Sequence, residues 1–217
     1  MPIAPILLTG FEPYGGYSRN PAFEAMRALD GRVIDGVAIV GRALPVSMAG
    51  LKPALSHLLD EGEFAAIVSL GLNTGAAAIH IERSALNLAD FDMADNDGLR
   101  VRDACVSPGG PAARLATLPL RAIERALLAA AIPAHLSASA GTFLCNACLY
   151  CCLEAAEARP GRPLCGFHHL PCMPEPVAEA ALKQDRRHGP GVASMELSRM
   201  VAGVEIALSE TVRALAP

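Results

Sequence analysis

Short apolar segments alternate with amphipathic helical segments along this chain, and this alternation restricts the fold more than any other feature of the sequence. Residues 3–9 and 65–70 are apolar runs typical of buried strands, and each is followed by a glycine within one residue. Between them, a helix is predicted from Asn20, which can cap it, with Pro21 at its first position. Residues 47–59 form a second amphipathic helix. Such alternation predicts an α/β fold with a mostly parallel twisted sheet.

The remainder of the chain continues this pattern, with one long polar interruption. Residues 90–111 are rich in Asp, Gly and Pro, and we interpret them as an excursion over a site formed by strand ends. Ligands of parallel sheets bind beyond the carboxyl ends of strands, so Gly10, Gly71 and Gly141 are candidate walls of one site. The other predicted elements are strands at residues 33–44, 76–88 and 164–171, helices at residues 120–131, 143–158 and 194–215, and a rigid turn at residues 173–176.

Composition limits the classes of protein to which the chain can belong. Its 217 residues fit one domain, or two at most, and 52% hydrophobic residues are enough for a closed core. The net charge of −4 and the lack of a Lys/Arg run argue against a nucleic-acid-binding surface. Every apolar run is broken well before the ~20 residues of a membrane span. The first residues lack the basic segment of a signal peptide, so we expect a cytoplasmic protein with seven free thiols.

One cysteine lies where a strand, a tight turn and a helix are predicted to meet. Residues 135–139 can be extended, Gly141 allows a sharp turn, and a helix begins near Cys145. At a helix N-terminus, unpaired backbone N–H groups and the positive end of the helix dipole favour a thiolate over a thiol. The same N–H groups can hold an oxyanion. Cys145 is therefore a candidate nucleophile.

A cysteine nucleophile needs a base, and the base needs a group that orients it. His168 and His169 end the last predicted strand, which we expect beside the strand that precedes Cys145. Their side chains point to opposite faces, so at most one of them faces Cys145. Glu82, or an Asp of the polar excursion, can hold the imidazole in the required tautomer. The alternative is that Cys145 is a small buried thiol and that Glu82 and Arg83 form an ordinary ion pair.

The density of cysteines between residues 145 and 152 favours two other interpretations. Cys145, Cys148, Cys151 and Cys152 have a spacing that resembles metal or iron–sulfur ligation. Four ligands cannot converge from one continuous helix without unwinding it, so we expect the three downstream cysteines to pack as small apolar residues. A redox pair of Cys145 and Cys148 is the other alternative, although the chain lacks the thioredoxin-like context of such a pair.

Five motifs follow one another in order over most of the chain. They are residues 8–16 with Asn20 and Pro21, residues 81–89 with 95–98, residues 109–112 with Leu118 and Pro119, residues 140–146 with Tyr150, and residues 166–171 with Pro174 and Glu175. Together they resemble the pyroglutamyl peptidase I (pyrrolidone-carboxylate peptidase) family of cysteine peptidases. Each motif alone is a weak signal, whereas five in collinear order are a strong one.

The resemblance implies a fold, a reaction and a catalytic triad. It implies a single three-layer α/β/α sandwich over residues 1–217 and a hydrolase that removes an N-terminal pyroglutamyl residue from peptides. It makes Cys145 the nucleophile and Glu82 the orienting acid. It selects His169 as the base, because the family's histidine directly precedes an apolar residue and then a proline, here Pro171.

The resemblance also implies a substrate site and partners. Phe11 and Tyr14 are expected to form apolar walls for the flat lactam ring, and Asn20 and Leu72 are further candidate substrate-binding residues. The family implies no metal or organic cofactor, peptides with N-terminal pyroglutamate as substrates, and no nucleic-acid or membrane partner. It further implies a cytoplasmic location and a homo-oligomer, either a dimer or a tetramer.

The chain departs from the family pattern at three positions that bear on the substrate. Leu72 stands where the family usually has Gln, and Ala76 and Asp92 stand where it usually has Arg. Asp92 therefore puts a negative charge where the resemblance puts a positive one. The alternative reading is a related Cys-dependent amidohydrolase with altered acyl specificity, or a catalytically weakened homologue.

Overall fold

The computed structural model describes residues 3–185 and 188–215. Its strands are β1 (Ile6–Phe11), β2 (Val33–Ile34), β3 (Val37–Leu44), β4 (Ala66–Leu72), β5 (Ile79–Glu82), β6 (Ser84–Leu86), β7 (Ala113–Leu115), β8 (Ala134–Ser137) and β9 (Leu164–Leu170). Its helices are α1 (Pro21–Leu29), α2 (Met48–Asp60), α3 (Leu120–Ala129), α4 (Leu144–Ala158), α5 (Pro174–Leu182) and α6 (Leu197–Leu215). Within these described residues, no helix has both the length and the apolar character needed to cross a bilayer.

Seven of these strands form the central sheet, in the order β2-β3-β1-β4-β9-β5-β8. Neighbouring strands from β3 to β9 are parallel, as are β5 and β8. β2 is antiparallel to β3, and β5 is antiparallel to β9. The two other strands, β6 and β7, form a small antiparallel ladder. The prediction of a mostly parallel sheet is therefore confirmed, and β5 and β8 are reversed at one edge.

Helices cover both faces of the sheet. On one face, α1, α3 and α6 bury side chains such as Met26, Ile123 and Val204 in one apolar core. On the other face, α2 and α4 bury side chains such as Leu55 and Leu149 in a second core. Every residue of β1 and β4 is buried, as expected for strands that are covered on both faces. The α/β/α arrangement expected from the family resemblance is therefore confirmed.

Two helices begin where the sequence predicts, because a polar side chain caps each of them. The Asn20 side chain accepts a hydrogen bond from the N–H of Ala22 at 3.0 Å, and Pro21 is the first residue of α1. The Ser47 hydroxyl accepts a hydrogen bond from the N–H of Gly50 at 2.9 Å at the start of α2. These caps also set the directions in which the loops before the two helices enter.

The strand predicted at residues 33–44 is in fact a hairpin made of β2 and β3. Asp35 and Gly36 have φ values of 46° and 84°, the left-handed conformation that a tight hairpin turn requires at both central residues. Asp-Gly is a strong sequence signal for such a turn, and it interrupts an apolar run that otherwise resembles one strand. The prediction of a single strand was wrong because the run was given more weight than the turn.

Two other predicted elements also differ from the structure. The strand predicted at residues 76–88 divides at Arg83 into β5, in the central sheet, and β6, in the small ladder. Residues 173–176, predicted as a rigid turn, contain the start of α5, with Pro174 as its first residue. Proline is compatible with the first turn of a helix because the N–H that it lacks has no partner there.

His168 is a polar residue enclosed in one of the two apolar cores. It is 1% exposed, and its neighbours in register are Leu70 on β4 and Ile81 on β5. Neither ring nitrogen has a hydrogen-bond partner in the described part of the chain. Burial lowers the pKa of His168 to about 4, so the ring is neutral in the folded protein at neutral pH.

We expect His168→Leu to stabilise the protein, and to do so more strongly in acid. The unfolded chain takes up a proton on this ring near pH 6.5, whereas the folded protein resists protonation down to about pH 4, so falling pH favours unfolding of the wild type. At about 1.4 kcal/mol per pKa unit, the substitution removes up to about 3 kcal/mol of acid destabilisation. Urea unfolding at about pH 7 and about pH 4.5 measures this difference. His57→Gln, at an exposed histidine, is the control, and an equal gain at both pH values would contradict the account.

Candidate active site

Three adjacent strands bring the predicted catalytic residues to one edge of the sheet. In register, Gly71 of β4 pairs with His169 of β9, and His169 pairs with His80 of β5. Glu82 lies two residues after His80, so its side chain is on the same face and diagonal to His169. The strand before Cys145, β8, is not the neighbour of β9 that we expected, because β5 lies between them. This insertion places an acid next to the histidine strand.

Cys145 reaches the same edge from the start of α4. It is the second residue of that helix and is 7% exposed. Its Sγ lies so close to Gly71 that a Cβ at position 71 would be 2.7 Å from the sulfur. The same Cβ would also be 2.7 Å from Cζ of the buried Phe167 ring. The absence of a side chain at Gly71 is what lets the thiol rest on the sheet beside His169.

His169 and Glu82 form a buried hydrogen-bonded pair. His169 Nδ1 lies 2.7 Å from Glu82 Oε1, and the Glu82 side chain is 1% exposed. Among the described residues, nothing forms a hydrogen bond with the other oxygen, Glu82 Oε2. Burial lowers the pKa of His169, but the charge of Cys145 and the hydrogen bonds of the ring to Cys145 and Glu82 outweigh burial and raise this pKa to about 10. Because Glu82 engages Nδ1, Nε2 is the ring atom left for Cys145.

Asn146 ties the start of α4 to the segment that follows Glu82. Its Oδ1 accepts a hydrogen bond from the N–H of Leu86 at 2.7 Å. Its Nδ2 donates to the carbonyl oxygens of Leu86 and Leu88, each at 2.9 Å. Asn146 is fully buried and follows Cys145 directly, so these three bonds set the position of the thiol relative to the Glu82 strand. A buried amide in an otherwise apolar helix is the sequence signal for such a role.

A cavity of about 460 Å³ opens over Cys145 and His169. Of the four predicted substrate-binding residues, Tyr14 and Leu72 line this cavity, and Phe11 and Asn20 do not. Phe11 is 2% exposed and packs in the core of the α2 and α4 face. Asn20 caps α1 and donates a hydrogen bond to the carbonyl oxygen of Glu12 at 2.9 Å. Phe11 and Asn20 therefore support the loop that carries Tyr14. Of the three predicted glycine walls, Gly141 lines the cavity and Gly71 lies beneath the thiol, whereas Gly10 packs against Ala22 of α1 and does not line it.

Aromatic rings form one wall of the cavity. The rings of Tyr14 and Phe143 stack with their centroids 5.9 Å apart and their planes at 27°. Phe143 also meets Phe91 edge-on, at 4.6 Å between centroids. Burial and the nearby charge of Cys145 raise the pKa of the Tyr14 phenol, so its hydroxyl stays protonated. The sequence predicts Phe143 only as a residue of the helix. Its position two residues before Cys145 is the sequence signal that could have indicated a place in the wall of the cavity.

The polar excursion at residues 90–111 also contributes to the cavity, next to this aromatic wall, because Thr142 Oγ1 donates a hydrogen bond to the carbonyl oxygen of Asp90 at 2.7 Å and Phe91 packs on Phe143. Asp90, Asp92 and Met93 line it, as the prediction of an excursion over the site requires. Asp95 holds this segment in place, because its Oδ2 accepts a hydrogen bond from the N–H of Met48 at 2.9 Å. The excursion therefore has a defined path along the start of α2.

His80 also lines the cavity. Its Nδ1 lies 3.2 Å from Nδ2 of Asn73, and its ring lies 4.1 Å from that of His135 between centroids. Burial and the neighbouring His135 lower the pKa of His80. A neutral ring at this position leaves His169 as the histidine with a raised pKa in the site.

The other cysteines of α4 are buried thiols. Cys148 Sγ lies 3.6 Å from the hydroxyl of Ser69, and Cys152 forms hydrogen bonds with Cys148 and Cys165. All of these side chains lie in the core of the α2 and α4 face. In the described residues, no three His, Cys, Asp or Glu side chains are grouped as metal ligands. The packing is that of small apolar residues on a continuous helix, as the sequence predicts.

A second, larger groove lies at the opposite end of the sheet. Its volume is about 860 Å³, and it is lined by residues that precede β1, β4 and β9, such as Ala4, Ala65 and Pro163. Its lining contains acids and Arg159 but no cysteine, serine, threonine or histidine. Size therefore does not identify the reactive site here, and the nucleophile and base point to the smaller cavity.

Comparison with known proteins shows the family to which the chain is similar. The family model described as pyroglutamyl peptidase matches residues 4–214. The chain is 39% identical to a pyrrolidone-carboxylate peptidase of Cupriavidus pinatubonensis, over 95% of this chain and 92% of that protein. It is 41% identical to a pyrrolidone-carboxylate peptidase of Gloeobacter violaceus, over 94% of each chain.

Solved structures give the same result for the fold. The crystal structure of pyrrolidone carboxyl peptidase from Pyrococcus furiosus is similar with a TM-score of 0.91 and 33% identity, over 97% of this chain and 99% of that one. The enzyme of the same name from Thermococcus litoralis is similar with a TM-score of 0.90 and 33% identity, over 98% of this chain and 95% of that one.

We expect Asn146→Ala to lower the free energy of unfolding by about 2–4 kcal/mol, because it leaves three backbone groups of the Leu86 and Leu88 segment without their partner. Urea unfolding measures this loss. Asn96→Ala is the matched control, since Asn96 is exposed and its bonds to Glu12 and Pro13 can be replaced by water. Equal losses in the two variants would contradict the role assigned to Asn146.

Proposed function

The chain belongs to the pyroglutamyl peptidase family, and we propose that it carries out the reaction of that family, removal of an N-terminal pyroglutamyl residue from peptides, with Cys145, His169 and Glu82. The observation that carries this proposal is the buried 2.7 Å contact of His169 with Glu82, beside the thiol of Cys145. A thiol, a base and an acid that orients the base form the arrangement that cysteine nucleophiles require.

Cys145 is the nucleophile in this proposal. The raised pKa of His169 keeps its ring protonated at neutral pH, so the ring faces Cys145 as a cation. A thiolate beside a cationic imidazole attacks the carbonyl carbon of the pyroglutamyl residue and forms the C–S bond of a tetrahedral intermediate. Phe143, the N-cap of α4, supplies no side-chain acceptor to the first N–H groups of the helix, which leaves them free to donate to the oxyanion.

His169 transfers the protons. As the C–N bond breaks, the ring gives its proton to the leaving amine, and a thioester joins Cys145 to the pyroglutamyl group. The neutral ring then accepts a proton from a water molecule that attacks the thioester carbonyl. This second step releases pyroglutamate and restores the starting protonation of Cys145 and His169. Glu82 holds Nδ1 through both steps, so that Nε2 keeps facing the thiol.

The aromatic wall of the cavity fits the acyl part of such a substrate. A pyroglutamyl lactam is flat and uncharged, and the stacked rings of Tyr14 and Phe143 offer an apolar surface of matching shape. Leu72 lines the same cavity where the family usually has Gln. That difference favours the second candidate function, a Cys-dependent amidohydrolase with the same triad and a different acyl specificity.

Further properties belong to the same proposal. The whole chain, residues 1–217, acts as one peptidase domain, which the match of the family model over residues 4–214 supports. The reaction uses no metal or organic cofactor, because the three side chains supply the nucleophile and the proton transfers. A cytoplasmic location and a homodimer or homotetramer are supported by the family resemblance and stay predictions.

We expect Cys145→Ala to lower kcat/KM on a pyroglutamyl-aminocoumarin substrate by at least about 10³-fold, because no other group can form the thioester. Cys151→Ala, on the same helix but away from the cavity, is the control and keeps activity. Fluorescence of the released amine measures both. Comparable turnover by Cys145→Ala would refute the proposed nucleophile. No turnover by a folded wild type whose Cys145 reacts with iodoacetamide would favour the second candidate function.

We expect Glu82→Gln to lower kcat by about 10- to 10³-fold and to move the alkaline limb of the pH–rate profile to lower pH. His169 must be protonated to donate to the leaving amine, and its pKa is raised to about 10 partly by Glu82. Removal of that charge lets the ring lose its proton at lower pH, so activity falls earlier as pH rises. Glu154→Gln, at a surface carboxylate bonded to Ser107, is the control. An alkaline limb that does not move would contradict the role of Glu82.

A further inference from the structure

The active-site cavity is lined by more carboxylates than cationic side chains. Three carboxylates line it, those of Glu82, Asp90 and Asp92, and the lining includes neither Lys nor Arg. Glu82 is buried against His169, so its charge is engaged within the site. The other two acids lie on the excursion, where Asp90 is half-buried and Asp92 is exposed.

Asp90 and Asp92 differ in how their charges are engaged. Asp90 Oδ1 accepts a hydrogen bond from Arg102 Nη1 at 3.0 Å, so a cation already faces it. Asp92 is exposed, and in the portion of the chain described it takes part in no ion pair or hydrogen bond. Asp92 is therefore the acid of the cavity whose charge is open to a ligand.

The two ends of a pyroglutamyl substrate differ in what they can offer to Asp92. The lactam is neutral and is matched by the aromatic wall of Tyr14 and Phe143. If the lactam lies against that wall and the scissile amide is at Cys145, the peptide beyond the amide has to extend out through the mouth of the cavity, and its first side chain can carry a charge. Asp92 lines the cavity and is exposed, so its carboxylate lies at this mouth and can act on such a charge.

We propose that Asp92 is a specificity-determining residue that favours pyroglutamyl peptides in which a Lys or Arg follows the pyroglutamyl residue, and disfavours those with Asp or Glu there. The proposal rests on the proposed function, because it needs the scissile amide at Cys145. Ala76, which is buried and uncharged, adds no cation where the family usually has one. Among the described residues, the lining holds no Lys or Arg to face Asp92, and its cationic ring, that of His169, is already bonded to Glu82.

The size of the effect follows from the exposure of Asp92. An ion pair at an exposed site changes binding by about two- to fivefold, and it weakens as salt screens it. A lysine substrate gains from the attraction, and a glutamate substrate loses from the repulsion. At low ionic strength, kcat/KM for the lysine substrate is therefore expected to be about three- to tenfold higher than kcat/KM for the glutamate substrate.

The test compares three peptide amides, pyroglutamyl-lysyl, pyroglutamyl-glutaminyl and pyroglutamyl-glutamyl, that are otherwise identical. For the wild type we expect kcat/KM in the order Lys, Gln, Glu. Asp92→Asn is expected to reduce the Lys to Glu ratio by about threefold or more, and Asp92→Arg to reverse the order. Glu63→Gln, an equal loss of charge at the opposite end of the sheet, is the control and keeps the wild-type ratio.

Three outcomes would overturn the proposal, and each differs from failure of the proposed function. Equal kcat/KM for the three peptides in the wild type would remove the selectivity. A uniform change of all three in Asp92→Asn would mean that Asp92 acts on the reaction and not on the leaving group. An equal loss of selectivity in Glu63→Gln would mean that net charge alone matters. The absence of turnover of any peptide, by contrast, would fail the proposed function itself.

Discussion

The buried hydrogen bond between Glu82 and His169 is the interaction on which the rest of the site depends. A carboxylate that is 1% exposed needs a partner, and His169 Nδ1 at 2.7 Å supplies one. The contact exists because β5 lies between β9 and β8, runs antiparallel to β9 and places Glu82 diagonal to His169. A sheet that was parallel throughout would put the acid elsewhere. The reversed edge of the sheet thus supplies the acid that, together with the larger effect of Cys145, raises the pKa of His169.

The thiol is positioned by a different set of contacts. Gly71 gives Cys145 Sγ room on the sheet, and Asn146 joins the first turn of α4 to the segment after Glu82. The proposed nucleophile lies on a helix, and the proposed base and acid lie on adjacent strands. All three are therefore held by regular secondary structure. Two of the residues proposed to contact the substrate come from loops, Tyr14 before α1 and Asp92 in the excursion. In the proposed mechanism, the triad and Asp92 lie on separate parts of the structure, so Asp92 can differ from the family pattern without disturbing the triad.

The sequence predicted the elements better than their arrangement. Helix starts at Asn20 and Ser47 follow from local capping, and buried strands follow from apolar runs. The hairpin at Asp35 and the break at Arg83 were missed because a continuous apolar pattern hides a turn or a change of sheet. The order of strands depends on long-range pairing, which no local pattern contains. The choice of His169 rather than His168 as the base came from the family resemblance. The strand pattern alone shows only that the two histidines point to opposite faces of the sheet.

The most direct test of the central claim is to identify the atom that carries the acyl group during turnover. Wild-type enzyme is mixed with a reactive pyroglutamyl ester, quenched in acid within the first turnover, digested and analysed by mass spectrometry. The account predicts the added mass of one pyroglutamyl group on the peptide that contains Cys145, in a linkage sensitive to hydroxylamine. The same peptide holds Cys148, so fragmentation must place the group on the first cysteine. A group on another residue, or none during measurable turnover, would contradict the account.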